Sequence, residues 1–552
     1  MRTERAGTAA GTAARRLFWW AVLAAAAVWV ATLAGRGLYN PDEGRYAEIP
    51  REMLAGRDFV IPHLDGLVYI EKPPLQYWAT AAAEWLFGCN GFGARLYCGL
   101  AGLATVLVTA AFMRRLFGPA AAVRAAVMLG SSLLFILLGH QLTLDMSLTL
   151  YMTATFAAFC LGQDPRATPR TRTGFMLLAW AAAAAAFLTK GLIACVLPAA
   201  ALVIYSAVQR DFGPWRRLAL LPGLALFALL SAPWFVLIQH RLPQFFEFFF
   251  VREHFQRFLT RIEQRYQPWW FFIPVLLAGS LPWTVPAVRA LATGWRAARP
   301  PGVFDARRFA WIWCAVVFGF FSASDSKLIP YILPMFPPLA LLMATGDGAR
   351  LDRDLKATAR GLMAAGLGLL LGALLLARLL HDPARAPVFL GLRVPLAAMG
   401  VAALAGGGWA LGVRDAAVRP LAVAATGYAC FCAALWAAVV LAPAYSGASL
   451  YAQLPPDLRG VPAYSVGTYD QSLTFYLGHP VTLVQYRGEL DFGLSLQPAK
   501  GIDTVAAFEQ RWRDGPQALA VLEPAVYRRL QQAGVPMVVR ARDLHRLIVS
   551  RQ

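Results

Sequence analysis

LYNPDEGRYAEIPREMLAGRDFVIPHLDGLVYIEKPPLQYW runs from Leu38 to Trp78, directly behind the apolar run LFWWAVLAAAAVWVATLAG at 17–35. The apolar run is long enough, as a helix, to cross the roughly 30 Å hydrocarbon layer of a bilayer. The chain then turns abruptly polar: adjacent acids at Asp42 and Glu43, arginines at Arg45, Arg51 and Arg57, Lys72, and four tyrosines. Chemistry-bearing side chains packed this densely at a membrane exit read as a functional surface, since a simple connection would need only a few turn residues. Within the stretch and just beyond it, EGRYAEIPREML and LQYWATAAAEWLFG have helical patterns too mixed or too short to span. They suit helices lying along the interface, with their aromatic residues at headgroup depth.

The rest of the chain sets this loop in context. Of its 552 residues 58% are hydrophobic, and apolar runs recur near 17–35, 94–112, 119–137, 145–163, 174–189, 191–208, 217–239, 269–288, 308–322, 328–346, 360–380, 394–413 and 419–442. Thirteen spans, an odd number, put the two termini in opposite compartments. The first run follows Arg15 and Arg16 and carries no small-residue cleavage site, so it reads as a retained helix. Arginine-rich short loops follow every even-numbered span and precede the first, which places them in the cytoplasm. The Leu38–Trp78 loop, the 240–268 loop and everything after span thirteen then lie outside.

This topology accounts for the charge. The net charge is +20, yet only eleven basic residues against nine acidic ones follow Ser446, so almost the whole surplus belongs to membrane-flanking arginines and gives no sign of nucleic-acid binding. The seven cysteines form no framework; six of them, Cys98, Cys160, Cys195, Cys314, Cys430 and Cys432, fall in apolar runs. The chain divides into a membrane part, 1–443, with interfacial helices in the 36–93 and 240–268 loops, and an outer segment, 444–552. There VPAYSVG, VTLVQY, ALAVLE and HRLIVS have strand patterns, while IDTVAAFEQRWRD and PAVYRRLQQAG have helical ones, enough for a small α/β domain.

Candidate site residues are those the membrane did not require. Only five lysines occur, and Lys72, Lys190 and Lys327 fall at the outer mouths of spans. A compact ammonium there is a candidate phosphate ligand, against the plainer reading of a helix-end lysine snorkelling to water. Outer arginines, among them Arg45, Arg252 and Arg257, run against the usual charge bias and point to anionic headgroups; pairing with Glu48, Glu52, Glu247, Glu253 and Glu263 along the interfacial helices is the alternative. Asp42 and Asp145 lie at the same mouth, as site acids or as caps of the helices that follow them. Glu71 and His254, with His63 on the same side, are candidate ligands for a divalent metal such as zinc, on spacing that matches no strong pattern. No acid sits at the centre of a span, which argues against a proton-coupled transporter.

NPDEGRYAEIPREML, GLVYIEKPPLQYW, FFVREHFQRF and SKLIPYILPMFPPLALLMA together resemble the aminoarabinose transferases of Gram-negative bacteria, within the wider superfamily of membrane glycosyltransferases that includes the protein O-mannosyltransferases. The resemblance implies a GT-C type polytopic α-helical fold with a C-terminal periplasmic α/β domain. It implies transfer of 4-amino-4-deoxy-L-arabinose from undecaprenyl phosphate to a lipid A phosphate at the periplasmic face of the inner membrane, giving resistance to polymyxin and other cationic peptides. On this reading Lys72, Arg257 and Tyr331 hold the carrier phosphate. Asp42, with Asp145 as a second candidate, orients the acceptor or faces positive charge on the sugar. Arg45, Tyr46, Tyr69 and Lys190 bind sugar or acceptor, and FFEFFF (245–250) lines the path of the prenyl chain. The expected partners are the lipid-linked donor, lipid A and membrane lipids, with the enzyme acting as a monomer. The competing readings are transfer of another sugar to a lipid or protein acceptor, and transport of a lipid-linked sugar, for which polar residues running through the bilayer are expected.

Overall fold

The computed structural model describes residues 20, 22–256, 266–296, 303–380, 382 and 386–551. Among these, eight helices are long and apolar enough to cross a membrane, nine when one bent pair counts as a single span. Four shorter apolar helices, at Val22–Ala34, Ile193–Gln209, Trp269–Gly279 and Ile329–Ala344, fall where four further spans were expected. The chain is a multi-pass α-helical membrane protein.

Local sequence explains the helix ends that matter here. The Val22–Ala34 helix (α1) leads through a short connection into α2, Asp42–Gly56. A two-stranded hairpin, β1 (His63–Leu64) with β2 (Leu67–Val68), precedes α3, Leu75–Phe87. The long helix α4, Gly91–Phe117, is opened by Asn90, whose side chain accepts from the backbone N–H of Phe92 and Gly93 at 3.0 Å, and it closes with Arg114 and Arg115 at its carbonyl end.

Two expected spans are broken. The helix expected at 119–137 bends by 66° between Gly130 and Leu133. The hydroxyls of Ser131 and Ser132 bond back to the carbonyls of Val127 and Met128, which competes with the helical ladder. The expected 269–288 span is also interrupted, ending at Gly279 and resuming at Thr284. The two breaks satisfy each other: Leu133 N–H donates to the Leu281 carbonyl at 2.8 Å, and the Trp283 indole donates to Ser131 Oγ at 3.0 Å. Freed backbone groups at membrane depth are thus paired within the protein.

Beyond the Arg419–Tyr445 helix the chain builds a six-stranded mixed sheet, β3 (Ala463–Val466), β4 (Thr482–Val484), β5 (Gly501–Ile502), β6 (Leu519–Leu522), β7 (Val538–Arg542) and β8 (Leu547–Ser550), ordered β5-β4-β3-β6-β8-β7. The β5-β4-β3-β6 portion is parallel, and β8 pairs antiparallel with both β6 and β7. The chain first winds to one side of β3 and then to the other, so the crevice beyond the ends of β3 and β6 is the position where such sheets hold ligands. The membrane part docks on the start of the Gln471–Leu477 helix and on the residue before β4. A Cβ on Gly44 would collide with the backbone of Gln471 and Ser472; Ser472 N–H donates to Asn40 Oδ1 at 2.8 Å, and Val481 N–H to Asp65 Oδ1 at 2.7 Å.

One carboxylate fixes how the polar loop sits on the helices. Glu43, fully buried, is bound in fork geometry by Arg95 of α4 at 2.7 and 2.9 Å and by Arg36, and it also accepts from the backbone N–H of Tyr39 at 2.9 Å and Leu142 at 3.0 Å. Arg95 meanwhile donates to the carbonyls of Leu33, Arg36 and Gly37 at 2.8–3.0 Å. Burial pushes the Glu43 carboxyl upward, but the two guanidinium groups outweigh it and hold it at about 2. Because this value is depressed, the carboxylate contributes about 3 kcal/mol of stability that is fully present above the ordinary value of 4.5 and is lost as pH falls from there through about 2. Glu43→Gln should lower the thermal unfolding midpoint in detergent, at a cost of about 3–5 kcal/mol, because it leaves two buried arginines short of their counter-charge. A midpoint equal to wild type would contradict this account of the loop.

Candidate functional site

The first turn of α2 begins the site. Asp42 occupies its first position, near the positive end of the helix dipole. It does not serve as the cap: Pro41 holds that position without a side-chain bond. Asp42 instead receives Arg45, one turn on, at 2.8 Å from Nη1. The other amine of Arg45 pairs with Glu489, from the loop after β4. Glu489 also accepts from the side-chain amide of Gln471, the first residue of the Gln471–Leu477 helix. The sheet domain therefore contributes directly to the arrangement around Arg45.

Aromatic residues wall this cluster. The Arg45 guanidinium carbon lies 5.7 Å from the Tyr46 ring centre, and Tyr46 lies 6.1 Å from Tyr77 of α3. Tyr69, on the strap after β2, is buried beside them and is held by its N–H to the Pro62 carbonyl at 2.9 Å. Burial pushes the phenols of Tyr46, Tyr69 and Tyr77 above their ordinary range. They remain neutral hydrogen-bond donors at any working pH.

The same strap carries Glu71 and Lys72. The Lys72 ammonium donates to the Glu71 carbonyl at 2.9 Å and lies 3.5 Å from Glu253, on the Glu247–Gln256 π-helical segment. A third charge pair closes the far side. Asp145, in the first turn of Leu144–Gln163, accepts from Lys190, the last residue of Pro169–Lys190, at 2.5 Å. Lys190 sits 4.5 Å above the Tyr331 ring, a cation–π contact. Thr143 is the cap of the Leu144 helix, so the capping alternative for Asp145 also gives way to an ion pair.

The charges of Asp42, Arg45, Glu71 and Asp145 all act on the Tyr46 phenol, so residues from α2, the strap and the Leu144–Gln163 helix face one region. Through Asp145 that region takes in Lys190 and Tyr331, and through the strap it takes in Lys72. Arg257 and the side chain of His254 lie outside the described residues. No group of three metal-ligating side chains occurs among the described residues, and the charge around Glu71 comes from arginine, lysine and carboxylate groups already paired with one another. The expected metal pair of Glu71 and His254 falls partly outside the described residues. Lys327 turns inward, donating to the carbonyls of Ser324 and Gln267.

Sequence reasoning missed Glu489 and Gln471, which lie more than 400 positions from Arg45, and it placed Glu253 only as a generic partner for arginines. Arg95 carried a readable signal that was not used: an arginine within two turns of the start of an apolar span needs a buried counter-charge.

Comparison with known proteins agrees with this architecture. Residues 21–249 match the dolichyl-phosphate-mannose-protein mannosyltransferase family, and residues 449–551 match the aminoarabinose transferase C-terminal domain. A protein of Edwardsiella ictaluri named undecaprenyl phosphate-alpha-4-amino-4-deoxy-L-arabinose arabinosyl transferase is 38% identical over 57% of this chain and 56% of its own length, so that alignment spans little more than half of the relative. A protein of the same name from Erwinia tasmaniensis is 33% identical over 84% of this chain and 85% of its own. The crystal structure of ArnT from Cupriavidus metallidurans bound to undecaprenyl phosphate superposes with a TM-score of 0.89 at 35% identity, covering 97% of this chain and 98% of that one.

The Asp145–Lys190 pair is testable by itself. In a double-mutant cycle read by thermal unfolding, the destabilisations of Asp145→Asn and Lys190→Met should sum to more than that of the double variant, the difference being a coupling of about 1–3 kcal/mol. Additive single effects would show that the two groups do not act as a pair.

Proposed function

This chain belongs to the family of undecaprenyl phosphate-4-amino-4-deoxy-L-arabinose arabinosyl transferases, and we propose that it carries out the reaction of that name: moving the aminopentose from its undecaprenyl phosphate carrier to a phosphate of lipid A. The reaction takes place at the periplasmic face of the bacterial inner membrane, and its product, with reduced negative charge, resists polymyxin and similar cationic peptides. The observation that carries this reading is the gathering of three opposite-charge pairs, Asp42–Arg45, Lys72–Glu253 and Asp145–Lys190, around buried tyrosines at the end of the helices next to the C-terminal domain.

An oxygen of the acceptor phosphate attacks the anomeric carbon, the bond from that carbon to the carrier phosphate oxygen breaks, and undecaprenyl phosphate leaves with the bonding electrons. The acceptor is already ionised near neutral pH, so the site needs no strong general base. The demanding step is departure of the carrier phosphate, and cationic groups fixed where its charge develops supply the largest stabilisation. Lys72 takes that role, exchanging Glu253 for phosphate oxygen, and Arg257 and Tyr331 are the further residues assigned to the carrier phosphate. Asp42 faces the sugar and balances positive charge on it, while Tyr46 and Tyr69 form the walls of the sugar pocket. Arg45 and Lys190, each held by a carboxylate, present oriented donors to acceptor and sugar oxygens.

With purified protein, lipid-linked aminopentose and lipid A, Lys72→Ala should lower turnover by roughly 10²–10³ while the thermal midpoint stays near wild type. Substantial retained turnover would remove Lys72 from the leaving-group site. Asp42→Asn should cause a large loss that raising the pH does not rescue, because the lost element is a fixed negative charge. Near-normal activity would exclude Asp42 from the site, and rescue at high pH would restore a general-base role.

A further inference from the structure

We infer that Glu489 of the C-terminal domain is a positioning residue that gives this site its preference for a sugar bearing a cationic amine, an inference that rests on the reaction proposed above. Two carboxylates, Asp42 and Glu489, share the single guanidinium of Arg45. One negative charge is therefore left over within the cluster. Its location is set by burial: the side chains of Arg45 and Glu489 are 6% and 15% exposed, whereas that of Asp42 is 37% exposed. Glu489, steadied by Gln471, occupies one amine of Arg45 and counters its charge from the closed side. The surplus then sits on the open side, on Asp42.

Other charges nearby reinforce this assignment. Glu71 acts on the same Tyr46 and Tyr69 phenols as Arg45, and Lys72 stands against Glu253. An ammonium on the sugar thus meets the open, acidic side of the Asp42–Arg45–Glu489 cluster, whereas a hydroxyl at the same position gains much less. If Glu489 were neutral, Arg45 would be a full counter-ion to Asp42 alone and the attraction for an ammonium would be cancelled. A role confined to docking the two domains would lower turnover of every donor alike, so a comparison of donors separates the two possibilities.

The test uses the full-length protein with lipid A and two donors on undecaprenyl phosphate, one carrying 4-amino-4-deoxy-L-arabinose and the other L-arabinose, which has a hydroxyl in place of the amine. The wild-type chain should favour the amino donor. E489Q should reduce the ratio of kcat/KM values for the two donors about tenfold, the scale of one altered charge contact, chiefly through KM of the amino donor. E489D should recover part of the preference, and Gln471→Leu should shift the ratio in the same direction by less. A wild-type ratio in folded E489Q would overturn the role of Glu489. If E489Q does not fold, an unchanged ratio in Gln471→Leu would overturn it equally. A wild-type chain that does not favour the amino donor would instead contradict the proposed reaction.

Discussion

A carboxylate with no access to water, Glu43, holds the polar loop onto the helices. Removing such a charge from water costs several kcal/mol, and only a nearly complete set of partners offsets that. Arg95 comes from the first turns of α4, Arg36 from the exit of α1, and backbone donors come from both sides. Because Arg95 also binds the carbonyls of Leu33, Arg36 and Gly37, the end of α1, the start of α2 and the start of α4 are fixed to one another. Asp42 is the neighbour of Glu43 in sequence, so the constraint that places the structural carboxylate also places the acid proposed to face the sugar.

The arrangement beyond Glu43 obeys a single electrostatic pattern. Each cation described in the site already has an anion: Arg45 has two, Lys72 has Glu253 and Lys190 has Asp145. Such pairs keep the side chains oriented, which on the proposed reading lowers the reorganisation needed when a phosphate replaces a carboxylate. They also explain how a chain with a net charge of +20 can, on the proposed reading, keep a pocket for a cationic sugar. Most of that charge resides in arginines flanking the spans, while in the site the cations are matched or outnumbered by acids, three of them brought in from distant segments.

Much of this was legible in the sequence because the membrane punishes misplaced polarity. Long apolar runs marked the spans, and the dense polarity of Leu38–Trp78 marked the face where the charge pairs gather; α2 and α3 fall on the two helical patterns read there. The strands at Ala463–Val466, Thr482–Val484, Leu519–Leu522 and Leu547–Ser550 were visible from composition. The two-residue β5, the charged edge strand β7 and the Gln471–Leu477 helix were not, since each owes its place to packing partners more than to its own pattern. The broken spans near Gly130 and Ser280 were read as continuous because their hydropathy is continuous; the serine hydroxyls and the reciprocal bonds that stabilise the breaks become visible only when the two segments meet. Pairings such as Arg45 with Glu489 depend on domain docking, and no local spacing encodes them.

On the proposed reading, the charge pairs around Tyr46 form one pocket whose task is aminopentose transfer to lipid A. Mass spectrometry of lipid A from a strain lacking this protein, with and without the chain restored, tests that most directly. The account predicts a mass increment of one aminopentose on lipid A only when the intact chain is present. A spectrum unchanged by restoring a folded, membrane-inserted chain, or an increment matching a neutral sugar, would contradict it.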